Sequence, residues 1–235
     1  MRAHTDSRWF FSVLCGSMAL LLAAGTVLQA EDDGFVTLFD GRNLDAWQMS
    51  ETSQWEIENG LLALNRTDGG LNNDDYLWTR EQYADFVLEL EFKVCEGYCN
   101  SGVFFRTADL DDPVNTGLEM QVTNSHGRPL SRGGTAGAIY DFLAPTKNTV
   151  RPPGEWNQCR ITCQGSLIRV DLNGQRILEM DVERWTEAGR NPDGTSNSFD
   201  RPLRDFPRRG YIGLQDHGRP IWYRNIRVQR LEEGS

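Results

Sequence analysis

Leu167-Ile168-Arg169-Val170-Asp171-Leu172-Asn173-Gly174-Gln175-Arg176-Ile177-Leu178-Glu179-Met180 is two apolar, strand-forming runs separated by Asn-Gly. That dipeptide accepts the left-handed backbone of a two-residue hairpin turn, so the segment reads as a tight β-hairpin. The same construction recurs where Trp55-Glu56-Ile57 and Leu61-Leu62-Ala63-Leu64 flank Asn59-Gly60. Outward from these two hairpins, short apolar segments bounded by Gly, Asn, Asp or Pro predict further strands at 86–94, 101–107, 117–123, 136–142, 156–164, 210–215 and 221–230. Helical periodicity is nowhere sustained over three turns. An all-β protein follows, a sandwich or a barrel. Two stretches, 108–116 and 183–207, carry little regular patterning, and long loops in compact domains are usually functional or disordered. There is no internal repeat and no linker composition.

The ends and the charge narrow the setting. Arg2 and Arg8, an apolar run from Phe10 to Leu28, and Ala30 before Glu31-Asp32-Asp33 have the three-part layout of a secretory signal peptide over 1–30. A membrane anchor is the alternative, since the run nearly spans a bilayer. The bulky Leu14 before Cys15 argues against lipid attachment there. Cleavage would leave one domain, 31–235, secreted or periplasmic. That domain keeps 22 of the 24 basic residues and 33 of the 34 acidic ones, a formal charge of −11. Such a surface repels nucleic acid and anionic membranes, so neither is an expected partner. The oligomeric state is left open.

Four cysteines follow the leader, Cys95, Cys99, Cys159 and Cys163. An even number in an exported chain predicts disulfides. Zinc is the alternative, but C-x3-C spacing fits zinc ribbons poorly. If Cys159 and Cys163 share a strand they lie about 13 Å apart, beyond the ~7 Å reach of a bridge. Both would then have to pair with Cys95 and Cys99.

Several segments also occur in a familiar order: Phe39-Asp40-Gly41-Arg42-Asn43-Leu44-Asp45-Ala46-Trp47, Trp55 to Gly60, Asp85 to Phe92, Asn100-Ser101-Gly102-Val103-Phe104-Phe105-Arg106, Gly117-Leu118-Glu119-Met120-Gln121-Val122, Gly137-Ala138-Ile139-Tyr140-Asp141, Gly154-Glu155-Trp156-Asn157 and Leu214-Gln215-Asp216-His217-Gly218. Together they resemble the 3-keto-disaccharide hydrolase domain family over about Phe35 to Leu231. The resemblance implies a concanavalin A-like, two-sheet antiparallel β-sandwich (a jelly roll) and activity on sugars oxidised at C3. It also implies that the strand holding Glu119 crosses the concave face.

On that strand, Leu118, Met120 and Val122 point one way while Glu119 and Gln121 point the other. A solvated sheet face is the alternative reading of the polar pair. Arg106 offers a planar fork for sugar hydroxyls, or else pairs structurally with an acid such as Glu119. His217 follows Gln215 and Asp216 in a turn after a strand, and His126 occupies a similar turn. Either histidine suits proton transfer or a backbone hydrogen bond. Tyr140 and Asp141 follow the small residues Ala136-Gly137-Ala138, which permit close approach, and Tyr140 adds stacking area and a hydroxyl. Trp47, Trp55, Trp156 and Trp222 read as core or rim.

A retaining glycosidase needs two carboxylates about 5 Å apart, whereas this strand reads Leu-Glu-Met-Gln-Val, with one acid. Glu89 and Glu91 alternate, but on what is as easily a solvated outer strand. A ketone at C3 provides another route, because it acidifies the C2 hydrogen and one base suffices. Glu119 or His217 is the expected base, with Arg106, Gln121, Tyr140, Asp141, Gln215 and Asp216 around the sugar. No cofactor is firmly implied. A calcium-like divalent cation is compatible with the acidic loops at Asp74, Asp75, Asp109, Asp111 and Asp112, although these have no recognisable calcium-loop spacing. Two other functions remain: a non-catalytic carbohydrate-binding module and an adhesion or scaffold role, which would require a large exposed apolar patch.

Overall fold

The computed structural model describes Met1, residues 34–65 and residues 75–232. Apart from Met1, the expected leader over 1–30 lies outside the described residues, as does Asp74. Asp33–Ser235 forms one compact unit.

Its strands are β1 (Phe35–Phe39), β2 (Trp47–Gln48), β3 (Glu56–Glu58), β4 (Leu61–Leu64), β5 (Asp75–Thr79), β6 (Phe86–Val94), β7 (Asn100–Thr107), β8 (Leu118–Thr123), β9 (Trp156–Gln164), β10 (Leu167–Leu172), β11 (Gln175–Asp181), β12 (Tyr211–Asp216) and β13 (Ile221–Arg230). They build two antiparallel sheets. One runs β11-β10-β9-β6-β13-β4-β3 with β1 also on β13, and the other runs β2-β5-β12-β7-β8. Both Asn-Gly turns form as read. Leu172 pairs with Gln175 and Glu58 with Leu61, and all four turn residues have positive φ.

Strand alternation supplies the core. Leu88, Leu90 and Phe92 of β6, Ile161 of β9, and Ile168, Val170 and Leu172 of β10 face Val103 and Phe105 of β7, Leu118, Met120 and Val122 of β8, and Leu214 of β12. Each such side chain contributes roughly 1.5–3 kcal/mol by leaving water. One polar link crosses the core, where the Tyr223 and Ser101 hydroxyls meet at 2.8 Å and Ser101 Oγ donates to the Gln215 carbonyl at 2.7 Å. The opposite face of β6 carries Glu89, paired with Arg160 and Arg227, and Glu91, held by Arg224 and Asn225. These two acids therefore lie on the solvent side of the eight-stranded sheet.

Three expectations are corrected. Residues 136–142 form turns stitched by the bridges Met120–Ile139 and Ile139–Leu143, because the positive φ of Gly137 and Asp141 breaks extended geometry. Strands β1, β2 and β5 were not foreseen. The expected disulfides are absent: Cys95, Cys99, Cys159 and Cys163 are free thiols. Cys159 and Cys163 do share β9, but they sit opposite Leu90 and Phe86. Cys95 lies past the far end of β6, about 17 Å along the strand from Leu90 and out of bonding range.

Candidate functional site

The outward face of the five-stranded sheet is ordered by register into two rows. Glu119 pairs with Phe104, Phe104 with Gly213, and Gly213 with Trp78. One step along, Gln121 pairs with Gly102, which lies beside Gln215, and Gln215 pairs with Tyr76. Period-2 alternation keeps all of these side chains off the main core. Tyr76, Trp78 and Phe104 form a separate cluster there, with Leu110 and Tyr211 packed against it. Tyr76 and Trp78 stack at 4.8 Å, and Phe104 meets Tyr76 edge-on at 5.1 Å.

The two glycines shape this floor. A Cβ on Gly213 would overlap the Trp78 ring, and a Cβ on Gly102 would overlap the Glu119 carboxyl. Trp78 thus leans over β12, and Glu119 leans over β7 into the row between Gln215 and Gln121. Burial pushes the Glu119 carboxyl up to about 8, because desolvation disfavours its charged form. Its main-chain carbonyl accepts from Tyr140 N at 2.9 Å, which pins Tyr140 to the edge of β8 with its ring exposed. Burial and then the nearby Glu119 charge raise the Tyr140 phenol above its ordinary value.

Among the described residues, the buried oxygens on or beside this face without a protein partner include Gln121 Oε1, Gln215 Oε1, Asn100 Oδ1 and Asp75 Oδ2. Gln121 is oriented by its Nε2 donating to the Gly133 carbonyl at 3.1 Å, so the orphan oxygen is fixed as the acceptor. Buried acceptors in folded proteins are nearly always satisfied, by the protein, by ordered water or by a bound ligand, and sugar hydroxyls are donors of that kind.

The other expected residues divide. His217 lies half-buried just past β12. Asp216 is fully buried, and its Oδ1 accepts from Gly218 N at 2.7 Å, forming the turn that carries His217. Asp141 Oδ2 accepts from Ser198 N and Oγ at 2.7 Å each, tying the 183–207 loop to the Tyr140 turn. His126 Nδ1 lies 3.0 Å from the Val150 carbonyl, which leaves it a backbone partner.

Arg106 is the clearest departure. Only 1% exposed, it donates to the carbonyls of Ala84 (2.8 Å) and Gly165 (2.9 Å) and to Asp85 Oδ1 (3.0 Å). Its φ of 54° marks a bulge, and the β7–β12 register shifts here. The extra residue turns the side chain away from the face that alternation from Gly102 and Phe104 assigns it.

Asn100, Gly102, Tyr76 and Trp78 lie on this face, with Asp75 at the start of β5 beside it, although sequence reading did not place them there. The alternation Tyr76-Leu77-Trp78 was the available signal for β5. Among the described residues no three His, Cys, Asp or Glu side chains gather as metal ligands. Asp109 and Asp112 accept hydrogen bonds from Asp111 N and Asn115 within their own loop.

The family described as 3-keto-alpha-glucoside-1,2-lyase-like domain matches residues 34–229. A 3-keto-disaccharide hydrolase of Bacteroides thetaiotaomicron is 27% identical over 237 residues, covering 87% of this chain and 81% of that protein. A candidate glycosyl hydrolase from Parabacteroides distasonis has a solved structure 34% identical, with TM-score 0.74, covering 84% of this chain and 99% of that one. The β-glucanase of Bacillus licheniformis, 12% identical with TM-score 0.51 over 86% of this chain and 100% of that one, shares the fold.

Proposed function

The chain belongs to the 3-keto-alpha-glucoside-1,2-lyase-like domain family, and from that membership we propose that it cleaves 3-keto-glycosides on the outward, concave face of the five-stranded sheet. One observation carries the reading: Glu119, the lone carboxyl on β8, whose pKa burial raises to about 8 and which is flanked by unpaired amide acceptors. A second carboxylate for double displacement is absent from β8, where the next outward residue is Gln121.

In the proposed reaction the ionised Glu119 takes the C2 hydrogen. The C2–H electrons move into the C2–C3 bond, and the ketone oxygen becomes an enolate. Collapse of the enolate forms the C1–C2 double bond and breaks the C1–O bond, whose electron pair leaves on oxygen; the products are a 1,2-unsaturated 3-keto sugar and a leaving group that takes up the proton from Glu119. Addition of water across C1 and C2 then completes a net hydrolysis. Elimination followed by hydration reconciles a lyase-like family with a relative named as a hydrolase. A base with a pKa near the working pH suits both removal and return of the proton. Tyr140, beside Glu119, hydrogen-bonds the developing oxyanion or the leaving oxygen. Gln121 and Gln215 accept from sugar hydroxyls, and His217 at the end of β12 is a second proton carrier. Arg106 has no part in the chemistry.

The test is incubation of the purified protein with a 3-keto-glucoside bearing a chromogenic leaving group, beside the unoxidised glucoside, with and without chelator. Release from the keto sugar alone is the expected result, and the chelator arm reports any dependence on a divalent ion. Binding without release, unaffected by Glu119→Gln, would make the protein a carbohydrate-binding module instead.

A further inference from the structure

A recess of about 240 Å³ opens at the β2–β5 edge of the same sheet, lined in part by Met49, Ser50, Asp75, Tyr76, Trp78 and Leu110. We propose that this recess seats the second sugar ring, the neutral leaving group of a 3-keto-disaccharide; the inference rests on the cleavage reading above for the position of the first ring.

Three independent features converge on that occupant. The first is spacing. Glu119 leans over Gly102 on β7, and Tyr76 lies two strands away along the same row, through Gln215. Two interstrand steps span about 10 Å, the length of two linked hexose rings. A ring whose C2 and C1 face Glu119 therefore points its neighbour toward Tyr76 and the recess.

The second is surface chemistry. One side of the recess is apolar, with the stacked Tyr76 and Trp78 and the adjoining Leu110. The other is polar, where Ser50 Oγ donates to Asp75 Oδ1 at 3.1 Å. A pyranose has the same division, with C–H groups on its faces and hydroxyls around its edge. Aromatic contact on one side and carboxylate acceptance on the other fit that ring.

The third is acceptor chemistry. Asp75 lines the recess, and its Oδ2 has no hydrogen-bond partner among the described residues, so a hydroxyl of the second ring finds an acceptor on this wall. The same carboxylate disfavours an acidic second sugar, since two like charges in a shared site repel. The leaving group is therefore a neutral sugar, and the recess sets the preference for a disaccharide over a simple glycoside.

The experiment measures binding, so that it stands apart from catalysis. In a Glu119→Gln background, calorimetry compares a neutral 3-keto-disaccharide with methyl 3-keto-glucoside. Met49→Trp, at a half-exposed position that can block the recess without disturbing the core, and Asp75→Asn are then tested in the same background. The expected result is at least tenfold tighter binding of the disaccharide, an advantage reduced to threefold or less by Met49→Trp and weakened by Asp75→Asn. Equal affinities in the parent, or an advantage that survives Met49→Trp, would overturn the assignment. Failure of the unsubstituted protein to turn over any keto-glycoside would remove the cleavage reading, while the affinity ratio would still decide the subsite.

Discussion

At the scale of single residues, Gly102 and Glu119 form a unit. Gly102 has extended backbone that any residue can adopt, so Gly102→Ala is not a strained substitution. Its new methyl would instead occupy the space of the Glu119 carboxyl, which must swing aside. Displacing a reacting group by about 1 Å can cost 10²-fold, so kcat/KM of Gly102→Ala should fall by about that factor while thermal unfolding changes little. Steady-state kinetics and a melting curve on one preparation check both. The raised Glu119 pKa makes two further predictions. As a base it works ionised, so kcat/KM should rise with pH through about 8, and Glu119→Gln should abolish that limb. For stability, the folded state holds the proton more tightly than the unfolded chain, so Glu119 costs stability as pH rises from the usual carboxylate range through about 8. Glu119→Gln should accordingly melt at least ~2 °C above the unsubstituted protein at pH 9, with that difference shrinking to nothing at pH 4. Glu119 and Gln121 were legible from alternation alone. Arg106 was not, because a bulge one residue long reverses facing and leaves no mark in the pattern Val103-Phe104-Phe105-Arg106.

At the scale of elements, the Arg106 bulge joins strands that alternation alone would leave separate. Arg106 reaches Ala84 and Asp85 just before β6, and Gly165 in the β9–β10 turn, while Gly165 N donates to both Asp85 oxygens at 3.0 Å. The guanidinium thus ties the two sheets together at one end of the sandwich. Removing one partner of a buried ion pair leaves an uncompensated charge and costs about 3–5 kcal/mol. Arg106→Met should lose about that much in denaturant unfolding, whereas the folded enzyme should keep its KM within about threefold because the side chain is absent from the floor. A large rise in KM without loss of stability would return Arg106 to the substrate. The tight hairpins at Asn59-Gly60 and Asn173-Gly174 were legible because their geometry is local. Strand β5 was missed because its five residues follow a polar stretch and are fixed by pairing with β12, more than a hundred residues away. The 136–142 segment read as a strand because its apolar content comes from filling the space beside β8, where Ile139 bridges Met120.

At the scale of the whole molecule, one sandwich supports different chemistry according to what its outward strands carry. A β-glucanase shares the fold, but a fold does not by itself fix function; the residues on the outward sheet do. Here Glu119 stands without a second acid on β8, and the alternating pair Glu89 and Glu91 is spent on arginines across the opposite sheet. One acid suffices only where the substrate supplies its own activation, as a C3 ketone does for the hydrogen at C2. Removal of that hydrogen is the central claim, and labelling C2 tests it most directly. A 3-keto-glucoside carrying deuterium at C2, hydrolysed in ordinary water beside an enzyme-free control, should react more slowly than its unlabelled counterpart and yield a 3-keto sugar that has lost the label. Hydrolysis at an unchanged rate with deuterium fully retained at C2 would contradict the account and place bond breaking at C1 without prior proton removal.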